Sequence, residues 1–238
     1  MKTSLIIKSP HEGTIETKIV KGYTVSHSHE YQVFPVKNAN PYMGLIGVEN
    51  GDVFAIHLKS TLKERFAWAI YLDGVNVVQD YGIKSLNDLQ EEDRSNYKAH
   101  AKFIGESEGT YYNNCYSQSN GENREFTFTQ KRNSGINEIL LQDSSQENLI
   151  EIYFWKEAPD DFGVDYLPYA DEFPGAFEEN SKIGAGKATY QKFQEGTGLI
   201  DPVFMGKLKV IHQPADKVKH MGKTVIPVDD PMNKVPLS

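Results

Sequence analysis

The sequence predicts an all-β fold: an antiparallel β-sandwich or jelly-roll-like domain with extended N- and C-terminal arms. Three observations lead there. The 238 residues include 13 Tyr and 12 Phe, side chains that suit a pleated, half-buried surface. Short runs of alternating polarity recur along the chain, separated by turn signals such as Gly105, Gly109, Asn120-Gly121 and Ser134-Gly135. The roughly 10–15-residue amphipathic stretches that βαβ units need are missing. With 39% apolar residues, the chain has enough large side chains to build one core, and sandwiches of this length commonly do so.

Residues 1–49 hold short β-like pieces, Ser4 to Lys8, Thr14 to Val20 and Tyr31 to Val36, broken by Pro10, Gly13, Gly22, Pro35 and Pro41. They read as an extended N-terminal arm. The core is expected over 50–213. In VFAIHLKS, period two places Val53, Ala55 and His57 on one face and Phe54, Ile56 and Leu58 on the other. FAWAIYLDGVNVVQD then gives two apolar runs around Asp73-Gly74, a dipeptide that supplies the positive φ angles of a tight hairpin turn. KSLNDLQEEDRSNYK at 84–98 fits a short surface helix or a plain loop between strands. Further strands are expected in AHAKFIGE, in REFTFTQK with its Phe126/Phe128 alternation, in INEILLQD, in LIEIYFWKE and in GKLKVIHQ.

Residues 158–181 lack Lys and Arg and interleave acids with Phe162, Tyr166, Tyr169, Phe173 and Phe177, the composition of a long acidic, aromatic loop. The tail at 214–238 carries Pro214, Pro227, Pro231 and Pro236 and no aromatic residue. It cannot form a core of its own.

The run Phe66 to Val78 around LDGVNV, the Gly-containing loop before REFTFTQ, the strand LIEIYFW, and KIGAGKATYQKFQ followed by KLKVIHQ together resemble a family of uncharacterised bacterial β-rich proteins. The resemblance covers about 50–213 and rests on order and spacing. It implies a β-sandwich or jelly-roll-like domain and brings no catalytic residues. The chain departs from the family pattern in LIEIYFW, which lacks glycines, and at Ala185 and Lys187.

Charge and composition narrow the function classes. A net charge of −8 opposes nucleic-acid binding, which needs a Lys/Arg field along the phosphate backbone. The single cysteine excludes an intrachain disulfide framework and a Cys-based structural zinc site. No apolar run is long enough for a membrane span, and the apolar stretch in MKTSLIIKSPHEG is too short for a secretory signal. The expected location is a virion or the cytoplasm of the producing cell.

Gly184-Ala185-Gly186-Lys187 has the look of a phosphate loop, but Ser181 and Ala188 stand where that pattern needs Gly and Ser/Thr, so a turn before a strand is expected. His27 and His29 beside Glu30 have the i, i+2 spacing that puts two imidazoles on one strand face, without an evident further ligand. Asp160, Asp161 and Asp165 lack the register of a calcium loop. Cys115, in a polar aromatic loop, is expected to be an inert thiol. No metal, cofactor or catalytic residue is assigned.

Two surfaces remain as candidates. Phe162, Tyr166, Tyr169, Phe173 and Phe177 have the aromatic-and-acid composition of a protein contact. Tyr111, Tyr112, Asn113, Asn114 and Tyr116, in an expected loop at 109–122, have the composition of a glycan-stacking surface. The leading expectation is a non-enzymatic structural or assembly protein, such as a phage capsid auxiliary, vertex or connector protein, which docks through its arms onto copies of itself or neighbouring proteins. A carbohydrate- or cell-surface-binding module is the alternative, and an enzyme with dispersed carboxylates the third.

Overall fold

The computed structural model describes residues 4–9, 13–22, 30–35, 42–78, 90, 93, 95–97, 100, 103–117, 123–129, 148–158, 182–189 and 198–221. In chain order the strands are β1 (Leu5–Ser9), β2 (Gly13–Lys21), β3 (Phe34–Pro35), β4 (Met43–Val48), β5 (Val53–Thr61), β6 (Phe66–Leu72), β7 (Val75–Asn76), β8 (Phe103–Gly105), β9 (Glu108–Asn113), β10 (Cys115–Ser117), β11 (Asn123–Thr129), β12 (Leu149–Glu157), β13 (Lys182–Thr189) and β14 (Pro202–Pro214), followed by the helix α1 (Ala215–Met221). They form an all-β sandwich. The first sheet runs β1-β2-β5-β11-β10, with β9 beside β5 and β13 beside β11; the second runs β3-β4-β14-β12-β6-β7, with β8 beside β6. Pairing is antiparallel except between β14 and β4.

Alternation decides which side chains meet between the sheets. Ile15 and Ile19 of β2, Phe54, Ile56 and Leu58 of β5, and Phe126 and Phe128 of β11 face Ile70 and Leu72 of β6, Ile150, Ile152 and Phe154 of β12, and Leu208 and Val210 of β14 in one buried cluster. The rings of Phe54 and Phe128 stack 4.1 Å apart at its centre. Burying side chains of this size contributes about 1.5–3 kcal/mol each before the entropy of ordering them. Every residue of β6 is buried, because its other face carries a second cluster of Ala67, Ala69, Tyr71, Tyr97, Tyr153, Trp155 and Leu199. Strands covered on both faces read as continuous apolar runs, which is why FAWAIYL does not alternate.

The expected hairpin at Asp73-Gly74 is present: Asp73 at φ 49° and Gly74 at φ 78° carry β6 into β7. The chain crosses from the second sheet to the first between β4 and β5, through a turn in which the Asp52 N–H donates to the Glu49 carbonyl at 3.1 Å.

Several expectations are corrected. Residues 1–49, expected as an extended arm, supply in their described part the strands β1 to β4, which pair within both sheets. Leu5, Ile7, Ile15 and Ile19 belong to the main core. The glycines and prolines that make the sequence look broken lie between these strands or, like Pro35, at the end of one. The stretch at 109–122, expected as a loop, contains β9 and β10, and Gly184–Lys187, expected as a turn, lies inside β13. Pairing partners distant in sequence, β5 for β9 and β11 for β13, override weak local propensity. The tail begins with α1, whose Val218 packs with Met43, Leu45 and Ile211 on the outer face of the second sheet. That close approach needs Gly47, where a Cβ would stand 3.2 Å from both Ala215 Cα and Val218 Cβ. The strand expected in INEILLQD, most of the segment at 84–98, residues 159–181 and residues 222–238 lie outside the described residues.

Candidate functional site

The Tyr/Asn stretch divides by the pleat of β9. Tyr111 and Asn113 point inward. The Tyr111 ring packs edge-on against Phe66, 5.3 Å away, and its hydroxyl donates to the Glu106 carbonyl at 2.9 Å. Burial, with the nearby Glu106 charge, raises its pKa. Asn113 Oδ1 accepts from Trp68 Nε1 at 3.3 Å, tying the two sheets together across the core. Tyr116 is fully buried, edge-on to Phe126, and the Asn114 carbonyl accepts from the Phe126 N–H. Tyr112 is the most open of the five, with 42% of its surface exposed, while Tyr111 and Asn114 are half-buried. The five residues therefore do not form one stacking platform: alternation sends consecutive side chains to opposite faces.

Tyr112 belongs instead to the outer face of the first sheet, which the strand register lays out in rows. Lys18 of β2 pairs with His57 of β5, and His57 with Tyr112 of β9. In the next row Ile6, Glu16, Lys59 and Thr110 stand side by side. The row beyond holds Lys8, Thr14, Thr61 and Glu108, with the Thr14 N–H donating to Thr61 Oγ1 at 3.0 Å. The rings of Tyr112 and His57 stack 4.7 Å apart. His57 is buried beneath, and among the described residues neither of its ring nitrogens has a hydrogen-bond partner. Burial, and then the Lys18 charge, hold its pKa below the ordinary value. Lys18 itself donates to Glu30 at 2.8 Å and lies 3.9 Å from Glu16. The face thus presents an aromatic ring among charges of both signs.

Two buried polar groups serve the fold. Asp73 accepts from the Leu149 N–H at 3.0 Å, from the Ile183 N–H at 2.6 Å and from His212 Nε2 at 2.9 Å. One carboxylate thereby joins the β6–β7 turn to β12, β13 and β14, and satisfies backbone donors that sheet pairing leaves over. Asp52 accepts from the Tyr31 hydroxyl at 2.7 Å and pairs with Lys21 at 2.6 Å. The Tyr31 hydroxyl is held well above the usual phenol range by burial and by Asp52, and the hydrogen bond to Asp52 raises Lys21. Isolated burial of such groups costs several kcal/mol, so the partners are what make these positions tolerable.

Cys115 is buried, and burial pushes its thiol up to about 12. Glu30 is the described member of the His27-Ser28-His29-Glu30 stretch, and it is engaged by Lys18. His27 and His29 lie outside the described residues, as do Phe162, Tyr166, Tyr169, Phe173, Phe177, Asp160, Asp161 and Asp165. Among the described residues, no three His, Cys, Asp or Glu side chains are grouped to hold a metal ion, and no helix is long and apolar enough to cross a membrane. His57, Lys18, Glu16 and Lys59 were not singled out by any motif; the alternation of VFAIHLKS groups His57 with Val53 and Ala55 on one face without marking it as the outer one. The partners of Asp73 gave no sequence signal at all. The chain matches no protein-family model, no curated protein and no solved structure.

Proposed function

We propose that the chain is a non-enzymatic structural protein that acts by associating with protein chains. The observation that carries this reading is the use of the buried Asp73 carboxylate: all three of its contacts given above hold strands together. A carboxylate beside an imidazole is a common pairing in catalysis, yet here His212 has no exposed surface and Asp73 almost none. The surface chemistry fits association, since an exposed tyrosine ringed by charges is the composition of a contact residue with a polar rim. A virion component is the kind of structural protein favoured, on the strength of a β-rich core and an acidic chain; its test is whether the chain copurifies with assembled particles. Native mass spectrometry of the full chain tests association itself: assemblies of more than one copy support the reading, and a strict monomer at every concentration that also retains no partner in a pull-down contradicts it.

A second reading has one observation in its favour. The exposed ring of Tyr112, backed by His57, offers a surface on which a sugar ring can stack. Binding on a glycan array that is lost in Tyr112→Ala would support it, and an array without signal would remove it.

A further inference from the structure

We propose that the outer face of the first sheet, around Glu16, Lys59 and Tyr112, pairs with the same face of a second copy of this chain across a two-fold axis running along the strands between β2 and β5. The inference rests on the association reading and names its partner.

A contact between identical surfaces across a two-fold axis must be self-complementary, each residue meeting a suitable residue of the other copy twice. An axis parallel to the strands and midway between β2 and β5 leaves each row in place. It sets β2 over β5 of the second copy, and β1 over β9. Glu16 then faces Lys59 of the second copy, and Lys59 faces its Glu16, because the two share a row. In the row of Lys8, Thr14, Thr61 and Glu108, Lys8 faces Glu108 and Thr14 faces Thr61. Ile6 meets Thr110. Lys18 comes to rest over His57, whose ring is already stacked on Tyr112. Opposite charges meet at Lys8 with Glu108 and at Glu16 with Lys59, and no like charges are brought together.

Charge balance is consistent with the same face. Two copies of a chain with net charge −8 repel each other wherever acids dominate the approaching surfaces. On this face Lys8, Lys18 and Lys59 offset Glu16, Glu30 and Glu108. Lys8, Lys59, Thr61, Glu108, Thr110 and Tyr112 are all exposed, so the face is open to a partner.

The test uses complementary charge reversals in the full chain. Lys59→Glu sets acid against Glu16 of the other copy, and Glu16→Lys sets base against Lys59. Each variant is expected to self-associate roughly tenfold more weakly than the wild type or worse, since like charges placed opposite each other at a contact are strongly disfavoured. Mixing the two variants restores opposite charges across the axis, so the mixture is expected to form a heterodimer of near wild-type affinity. Circular dichroism and thermal melts of each variant establish that it is folded; a loss of fold could not produce the recovery on mixing. If the wild type associates and both variants associate equally well, this face is wrong while the association reading stands. Variants that dissociate without recovering on mixing would refute the proposed axis. A wild type that stays monomeric throughout would overturn this face as a contact between copies, and the association reading falls with it only if a pull-down also retains no other protein.

Discussion

Nε2 of His212 donates a hydrogen bond to Oδ1 of Asp73 at 2.9 Å, with His212 wholly buried and Asp73 almost so. The imidazole sits at the end of β14 and the carboxylate in the β6–β7 turn, and the same carboxylate accepts from the N–H groups of Leu149 and Ile183. Asp73→Ala is expected to lower stability by about 3–5 kcal/mol, because it leaves buried donors on three other segments without their acceptor. His212→Ala should cost a comparable amount, and the double variant less than the sum of the two. Urea denaturation of the four proteins measures this, and simple additivity would contradict the coupling.

Gly47 sets how closely α1 approaches the second sheet. A Cβ there would lie 3.2 Å from Ala215 Cα and Val218 Cβ, so Gly47→Ala requires α1 or the Val218 side chain to give by a few tenths of an ångström. The expected loss is about 1–3 kcal/mol by the ordinary cost of overpacking. Val218→Ala in the same background should make the substitution cheaper. A thermal melt unchanged by Gly47→Ala would show that the contact carries no strain.

His57 gives a pH dependence whose sign is fixed. Burial and Lys18 hold its folded pKa below 6.5, whereas the unfolded chain takes up the proton at about 6.5. Between those values the unfolded state binds more protons, so the contribution of His57 is fully present above pH ~6.5 and is lost as pH falls toward the folded pKa. The stability of the wild type relative to His57→Gln should decline as pH is lowered from about 7 to 5. Urea denaturation across that range gives the slope, and an NMR titration of the ring gives the pKa; a relative stability that rises on acidification would contradict the burial argument.

Tyr111 and Tyr112 are neighbours with different duties. Tyr111 is half-buried and packs on Phe66 and Trp68, so Tyr111→Ala should cost about 1–3 kcal/mol, below the loss for a fully buried aromatic. Tyr112→Ala removes an exposed ring and should fall within about 1 kcal/mol of the wild type. Equal losses in a paired melt would mean that the pleat of β9 has been misread.

Cys115, with its thiol pushed up to about 12, should resist a thiol reagent at pH ~8 in the folded protein and react fully on unfolding. Rapid labelling of the native chain would contradict its burial.

What was legible in the sequence was local. Asp73-Gly74 declares a hairpin through its own backbone preferences, and the Phe126/Phe128 alternation declares a strand through its own period. The segments misread were those whose structure comes from distant partners. β13 is a glycine-containing strand held by β11, and β9 is a Tyr- and Thr-bearing strand held by β5; neither has an apolar alternation of its own. The strands of residues 1–49 look like an arm because glycines and prolines separate them in sequence, and their burial comes from sheets completed much later in the chain. The contacts of Asp73 reach across 76, 110 and 139 residues, separations at which no spacing rule operates. The rows of charge around Tyr112 became visible only once register had aligned β1, β2, β5 and β9.

Sedimentation velocity of the full chain over a concentration series tests the central claim, association through a self-complementary sheet face. A shift toward a dimer with rising concentration is expected, weakened by added salt because exposed opposite charges meet at the contact. A single monomeric species at all concentrations and salt conditions would contradict it.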